Sequence, residues 1–549
     1  MSLPRNREQG NLFQVGMLFG SLFEQGERRR FQLFYDRIMP ALWKYRDRLE
    51  KLYCRDNGRP AFDPVFLAGV TLLQFMEKAP DRKAADQTVL NLGWKCALGL
   101  PPEHEGFHPT TLVVFRNRLS ANDLERVLFD AVVEELRAQG LIRKRSKQRL
   151  DSTHIVGLVA YMSTLECVRE TLRLALESLE RGGHLALLPE WERLRERYCE
   201  TELDWKDQDQ QKLRRKLVQA AEDAFGILTW WDAYTKPLSE SEQQQLALLK
   251  RVFEEQFEWE EGQLQERKQK LSGTVADPHD PEAQWAAKGK DNQKKTWIGY
   301  KAQVTETVPE DPTPKPMGEP TQEFLVDVTT TEAIASDLDG MDRALENQAT
   351  HHEDRPSELF VDTAYVSDDT LHEAELQGWE LVGPARSSPG HLQGFRTEQF
   401  DVCNAKRKAI CPAGKESTQC SLIQEKATGK VYYRYEWSYH CDTCPLQKRC
   451  NGRKDGRREL VVGLYHDLLQ ARRREMETAE FKVRMKQRAG IEGTNSELKR
   501  GYGFGRSRYR GLKKTHLANC CIGAACNSNR WLRRLLWEID QEAARSMAA

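Results

Sequence analysis

The feature that most constrains this chain is a change of hydrophobic period near residue 148. Before it, apolar residues recur at three- and four-residue spacing, the pattern of helices with one buried face. "DPVFLAGVTLLQFMEKA" opens with Asp63 as N-cap and Pro64 at the first helical position. "HPTTLVVFRNRLS" offers Thr110 or Thr111 as a cap, and "ANDLERVLFDAVVEELRAQG" ends on Gly140, placed for a left-handed C-terminal residue. From "QRLDSTHIVGLVA" onward the pattern alternates and β-branched residues enter, which predicts a strand. "TWIGYKAQVTET" and "QEFLVDVTTT" repeat that signal. The order then becomes helix ("IASDLDGMDRALENQ"), strand ("ELFVDTAY"), helix ("SDDTLHEAELQG") and strand ("WELVGPA"). Three strands in succession followed by alternating helices and strands predict an α/β fold, a mixed sheet with helices on its faces.

Around that sheet the chain divides further, and 549 residues suffice for roughly three domains. Residues 1–142 read as an all-helical domain, either a packing module or a helix-turn-helix reader of DNA. The sheet takes residues 143–164 and 291–400. Residues 165–290 read as a helical insertion, acidic over 166–270 with 23 acids against 17 bases. Residues 271–295 read as a polar linker, and 309–320 as a proline-rich turn. A cysteine-rich segment follows over 401–455, then a helical part over 456–549. No run of about 18 apolar residues occurs, so no membrane span is expected. The N-terminus lacks the basic-then-apolar pattern of a signal peptide. The protein is therefore expected in the cytoplasm, with its 13 cysteines reduced or metal-bound.

Lysine plus arginine equals aspartate plus glutamate at 83 each, so overall charge decides nothing and its distribution matters. Residues 481–516 hold eleven Lys/Arg against two acids, and "RKRSKQR", residues 143–149, is almost purely basic. Both are candidate electrostatic footprints for DNA. Within this background three acids stand out. Asp151 shares a strand face with Thr153 and Ile155, and Asp362 ends the apolar run 359–361. A carboxylate at the end of a buried strand costs several kcal/mol if unpaired. Each is a helix cap, an ion-pair partner or a ligand of a hard cation. Glu492 shares a predicted helix face with Arg488, Asn495, Ser496 and Lys499. It is either half of a surface pair with Arg488, worth tenths of a kcal/mol, or a metal-seeking carboxylate among phosphate-gripping cations. The second arrangement is what phosphodiester chemistry needs, where two Mg²⁺ ions about 3.5–4 Å apart serve the attacking and leaving oxygens.

The order Asp151, Asp362, Glu492 on strand, strand and helix of an RNase H-like sheet resembles the DDE transposases of bacterial insertion sequences. "DSTHI" and "DTAYVS" look like that family's two aspartate motifs. Arg488, Glu492 and Lys499 match the spacing of its C-terminal signature of Tyr, Arg, Glu and Lys, with Met485 at the tyrosine position. "HPTTLVVFRNRL" resembles the helical domain that precedes the catalytic core in many of these proteins. The likeness runs from about residue 30 to 530, apart from the insertion. It implies that Asp151, Asp362 and Glu492 hold Mg²⁺ or Mn²⁺, two ions in all. Water would attack at a transposon end to free a 3′-OH, and that hydroxyl would then attack target DNA. Arg488 and Lys499 would contact phosphates near the scissile bond. The implied partners are the terminal inverted repeats and target DNA, with a homodimer in the DNA complex, on a bacterial nucleoid. Met485 offers apolar contact but no hydroxyl, so a hairpin intermediate is not carried over from the resemblance and the donor-strand pathway stays open. Two rival readings remain at this point: an inactive DNA-binding descendant, and an RNase H-like nuclease that cuts without joining.

Beyond Lys499, Arg500 extends the basic helix, and "GYGFGRSRYRG" interleaves Arg506, Arg508 and Arg510 with Tyr502, Phe504 and Tyr509. That mixture suits single-stranded or distorted DNA, or else a solvated loop. Cys441-x-x-Cys444 forms a zinc half-site that Cys411 and Cys450 complete to four ligands, with His440 as an alternative. Cys520, Cys521 and Cys526 read as small buried residues of a helix. His154, His351 and His352 read as packed or surface histidines.

Overall fold

The helix expected from Asp63 and Pro64 forms. Asp63 accepts hydrogen bonds from the Val65 and Phe66 amides at 2.8 and 3.4 Å and starts a helix over Pro64–Met76. It thereby satisfies donors that no intrahelical carbonyl reaches. The computed structural model describes residues 13–54, 60–159, 162–201, 209–260, 263–268, 273–289, 295–310, 318–387, 394–426, 429–450 and 456–548, together with Leu3, Gly58 and Leu271. Most of the proline-rich turn, residues 311–317, lies outside them. The threonine cap expected at 110–111 does not form. Thr110 is already the first residue of the Thr110–Ala121 helix, and its hydroxyl meets His108 Nδ1 at 2.8 Å. The Val127–Ala138 helix stops just before Gly140, whose φ of +72° carries the chain out of the helix.

These N-terminal helices share one apolar cluster with the rest of the molecule. Leu72, Phe115, Phe129 and Val132 pack in the same core as Ile155, Val304, Val328, Ile491 and Cys521. A buried ion pair reinforces the contact: Arg126 lies 2.8 Å from Asp327 and 3.3 Å from Asp130, and it donates to the Val328 carbonyl. His352 is packed beside it, 2.5 Å from Glu134 and 3.4 Å from Asp130.

Strand β1, Gln148–Val156, is followed by the insertion. Its long helices cover Thr164–Gly182, Gln210–Ala233 and Glu240–Gln256. Ser163 with Glu166 and Ser239 with Glu242 form reciprocal caps at two of the three starts. The three helices pack around a core of their own that includes Leu172, Leu176, Leu246 and Leu249. Each leucine buried there contributes about 1.5–3 kcal/mol. The insertion ends in a hairpin of β2, Phe257–Glu260, and β3, Gln263–Glu266. The stretch expected to be a polar linker then supplies a further strand, β4, Gln284–Lys288, which joins the sheet.

Strands β5, Lys295–Thr307, and β6, Leu325–Glu332, come next. The Asp337–His352 helix leads to β7, Glu358–Phe360, and the Asp368–Leu376 helix to β8, Glu380–Val382. The sheet runs β4–β5–β1–β7–β8, with β6 on β5. β5 is antiparallel to β4, β1 and β6, whereas β1, β7 and β8 are mutually parallel neighbours. Gly299 lets β5 turn across the end of β1. Its φ is +151°, and a Cβ there would come within 2.1 Å of the Ile155 carbonyl oxygen.

A small β unit follows: a hairpin of β9, Asp401–Cys403, and β10, Lys408–Ile410, then a sheet of β11, Gln419–Gln424, β12, Val431–Glu436, and β13, Glu459–Gly463. The chain ends in helices, chiefly His466–Glu477, Gly490–Tyr502 and Leu512–Ala548. Cys520, Cys521 and Cys526 are buried on the last of these, as expected. Asn527 on the same helix pairs with both backbone groups of Leu325 at 2.8 Å, tying the helix to β6. Among the described residues, no helix is long and apolar enough to cross a membrane.

Replacing Arg126 with methionine strands Asp327, which is fully buried, without its cation. The expected cost is about 3–5 kcal/mol, read as a lowered urea midpoint against the unchanged protein.

Candidate active site

Parallel pairing brings two of the three acids level. Arg149 on β1 lies opposite Phe360 on β7. Two residues further along each chain stand Asp151 and Asp362. Asp362 has just left β7, and its Oδ1 accepts the Ala364 amide at 2.7 Å to cap a short turn over Thr363–Tyr365. On β1, Leu150 packs into the core on the side of the Asp337–His352 helix, while Ile155 joins the core of the C-terminal helices. Alternation thus turns Asp151 towards the Gly490–Tyr502 helix, where Asn495 Nδ2 donates to Asp151 Oδ2 at 3.2 Å.

Glu492 stands on that same helix, its side chain 71% exposed. Arg488 lies between the acids, 3.8 Å from Asp151 and 3.6 Å from Glu492. Burial lifts the Asp151 carboxyl above the usual carboxylate range; Arg488 opposes the rise and Asp362 adds to it. Asp151 and Glu492 border a cleft of about 690 Å³, together with Lys499, Arg500, Asn495 and Lys288. Burial holds the Lys499 ammonium below its ordinary value, with Asp151 opposing and Lys295 assisting. The structure therefore sets Asp362 beside Asp151, and Glu492 in the same cleft as Asp151. Among the described residues the acids are not closed into a metal cage.

What fixes the helix is a buried charge network absent from the sequence reading. Arg149 and Glu306 are cross-strand partners on β1 and β5, and Arg149 Nε meets Glu306 Oε1 at 2.7 Å. Arg149 also donates to the Gln487 carbonyl, just before the helix, at 2.9 Å. Glu306 Oε2 accepts from the Thr494 hydroxyl at 2.7 Å and from Arg530 at 3.1 Å. Arg530 reaches Thr494 and Glu497 in turn, at 2.8 and 2.7 Å. Gly490 makes the approach possible, since a Cβ there would collide with the Arg149 guanidinium.

Several expectations about DNA contacts change. The basic run 143–149 divides: Arg149 is buried in its pair with Glu306 and Lys147 pairs with Glu358, whereas Arg143, Lys144 and Arg145 stay exposed, Arg143 in a surface pair with Glu310 and Arg145 donating to the Gly378 carbonyl. Tyr502 and Phe504 are core residues, not stacking platforms, and Tyr509 lies against Arg116 with the guanidinium 5.6 Å from its ring. They turn inward because the segment after the helix docks on β1, where Val156 donates to the Gly505 carbonyl and Ser507 donates back to Val156. Arg506, Arg508 and Arg510 remain exposed. His154 and Trp297 border the cleft with ring centroids 5.3 Å apart. Trp297 and Lys288 carried no sequence signal, because only the pairing of β4 with β5 brings them to the cleft. The four cysteines lie elsewhere, in the β unit, around a separate cavity.

Replacing Glu306 with glutamine leaves Arg149 and Arg530 buried around a neutral amide. The expected loss is again about 3–5 kcal/mol, measurable by urea unfolding. Glu492→Gln, at an exposed position, serves as a control expected to stay within about 0.5 kcal/mol of the unchanged protein.

A family model described as Transposase DDE domain matches residues 410–532, the span that holds Arg488, Glu492 and Lys499. A model described as Transposase domain (DUF772) matches residues 23–118, the N-terminal helices. No curated protein matches the chain. Asp151 and Asp362 lie outside both matched spans. Transposase models thus match on both sides of the sheet, and together they support a DDE transposase of insertion-sequence type.

Proposed function

We propose that this transposase cuts DNA at the ends of its element and joins the freed 3′ end to target DNA, using divalent metal held by Asp151, Asp362 and Glu492. The observation that carries the reading is the placement of Asp151 on β1 and of Asp362 just past the end of its parallel neighbour β7, with the Glu492 helix locked across β1. The strand pattern supports an RNase H-like core: three consecutive antiparallel core strands, then two parallel strands, each preceded by a helix.

The residues fit Mg²⁺ or Mn²⁺. The donors are carboxylate oxygens, the ligands hard cations prefer. Beside them Asn495 Oδ1 is buried without a hydrogen-bond partner, an acceptor that the water shell of a bound cation would satisfy. When bound, such ions supply activation of the attacking oxygen and charge stabilisation of the leaving one. The chain's own groups do the positioning. Asn495 orients Asp151, and the Ala364 amide orients Asp362. Arg488 keeps Asp151 and Glu492 compensated. Lys499 and Arg500 line the cleft, and Arg506, Arg508 and Arg510 extend the cationic track over the neighbouring surface. Contacts of this kind fix register on the backbone without reading sequence. Joining two ends calls for two copies of the chain in the DNA complex, working where the DNA is, on the nucleoid.

Asp151→Asn, Asp362→Asn and Glu492→Gln are each expected to abolish Mg²⁺- or Mn²⁺-dependent cleavage of a labelled element end while leaving its gel shift largely intact. Near-full activity in any one removes that residue from the ligand set. In the unchanged protein, cleavage without joining would make it a nuclease, and a shift without cleavage an inactive binder. Lys499→Ala should weaken DNA binding and lower the slope of log affinity against log salt by about 1; an unaltered slope means that Lys499 touches no phosphate.

A further inference from the structure

The β unit between β8 and the C-terminal helices has a feature that strand-transfer chemistry does not use. Cys411 lies in one turn, Cys441 and Cys444 in a second and Cys450 at the end of a short helix over Gln447–Cys450, yet all four line one cavity of about 30 Å³, close to the share of a single water molecule. Cys403 and Cys420, on β9 and β11, do not border it. We propose that these four cysteines bind one structural Zn²⁺ that staples the β unit together.

Three observations carry this assignment. The backbone around the sulfurs is folded into turns that present side chains to a common point. Cys411 receives the Gly414 amide at 2.8 Å, donates to Lys415 at 2.9 Å, and is followed by Gly414 at φ +72°. Cys444 donates to the Cys441 carbonyl at 3.2 Å, closing the second turn. Next, the Arg458 amide points at Cys441 Sγ at 3.4 Å, an outer contact that stabilises a thiolate ligand. Finally, the unit is small. Its apolar core is built on Phe400, Val402, Tyr435, Trp437 and Leu460, with Cys441 as a member, and a core of that size needs a staple.

All-sulfur donors arranged for four-coordination select zinc among the common divalent ions. The sulfurs ring the cavity and are not drawn into a closed cage, so binding requires the thiols to rotate inward. One Zn²⁺ bound as a tetrathiolate releases the four thiol protons to solvent. His440 also borders the cavity; with four sulfurs available it is not needed as a ligand.

The test is metal analysis of the full-length protein purified without added zinc, and it does not depend on the DNA chemistry. One zinc per chain is expected. Cys441→Ser and Cys450→Ser should each lower that content at least fivefold, while Cys403→Ser and His440→Ala retain it. Replacement by Co²⁺ in the unchanged protein should give the visible absorption of tetrahedral thiolate coordination, which settles the ligand type even if a cysteine variant fails to fold. A folded protein without stoichiometric zinc, an octahedral cobalt spectrum, or equal zinc loss in Cys403→Ser or His440→Ala overturns the assignment.

Discussion

Everything the site does depends on one carboxylate that water never reaches. Glu306 is fully buried, and a lone carboxylate in that position would cost several kcal/mol. Two arginines from opposite ends of the chain compensate it, and Glu497 balances the second arginine. The network holds β1, β5, the Gly490–Tyr502 helix and the C-terminal helix in one geometry, since each contributes a member. It also specifies register. A one-residue slip of β1 on β5 would turn Arg149 to the other face of the sheet, and Asp151 would turn away from Asn495 with it.

That anchoring explains how acids at 151, 362 and 492 come to one end of a sheet despite the long segments between them. The insertion leaves after β1 and returns through β4, burying its own leucine core on the way. The β unit leaves after β8 and returns before the helix of Glu492, again with its own core. Neither excursion asks the sheet to carry its packing. The sheet needs only its register and the Arg149–Glu306–Arg530 network to keep the acid-bearing elements aligned.

Features that depend on neighbours in sequence were legible. The strands β1, β5, β6, β7 and β8 with the helices between the last three, the Asp63 cap and the Gly140 stop all follow from local periodicity and backbone preference, whereas the β2–β3 hairpin falls in the stretch read as a helical insertion. The shared helix face of Glu492, Asn495 and Lys499 was legible too, because i, i+3 and i+7 positions meet on any helix, whereas Arg488 lies in the short turn Lys486–Ala489 before it. What escaped was set by distant partners. β4 reads as linker because its strand exists through pairing with β5. The end of the basic run 143–149 reads as part of a DNA footprint until Arg149 is seen buried against Glu306 and Lys147 paired with Glu358. Tyr502 and Phe504 read as stacking residues until the segment docks on β1 and turns them inward. Charge and aromatic content state what a segment could touch; only the tertiary fold decides whether the partner is another part of the chain.

The same distinction bears on Arg488. Asp151 is largely buried, and Asp362 raises the cost of ionising it. On the proposed reading the site must nevertheless hold two or three carboxylates ready before metal or DNA arrives. A guanidinium 3.8 Å from one acid and 3.6 Å from another meets that need without a permanent neutralising bond, because contacts of that length are weaker than a direct bidentate pair. On that same reading a divalent ion would replace so loose a cation at the carboxylates, and the freed guanidinium would keep its charge for a phosphate oxygen. The glutamate network and the Arg488 contact therefore act in opposite ways. The first is buried and closely paired so that the helix cannot move, and the second is loose so that the charges on that helix can change partners.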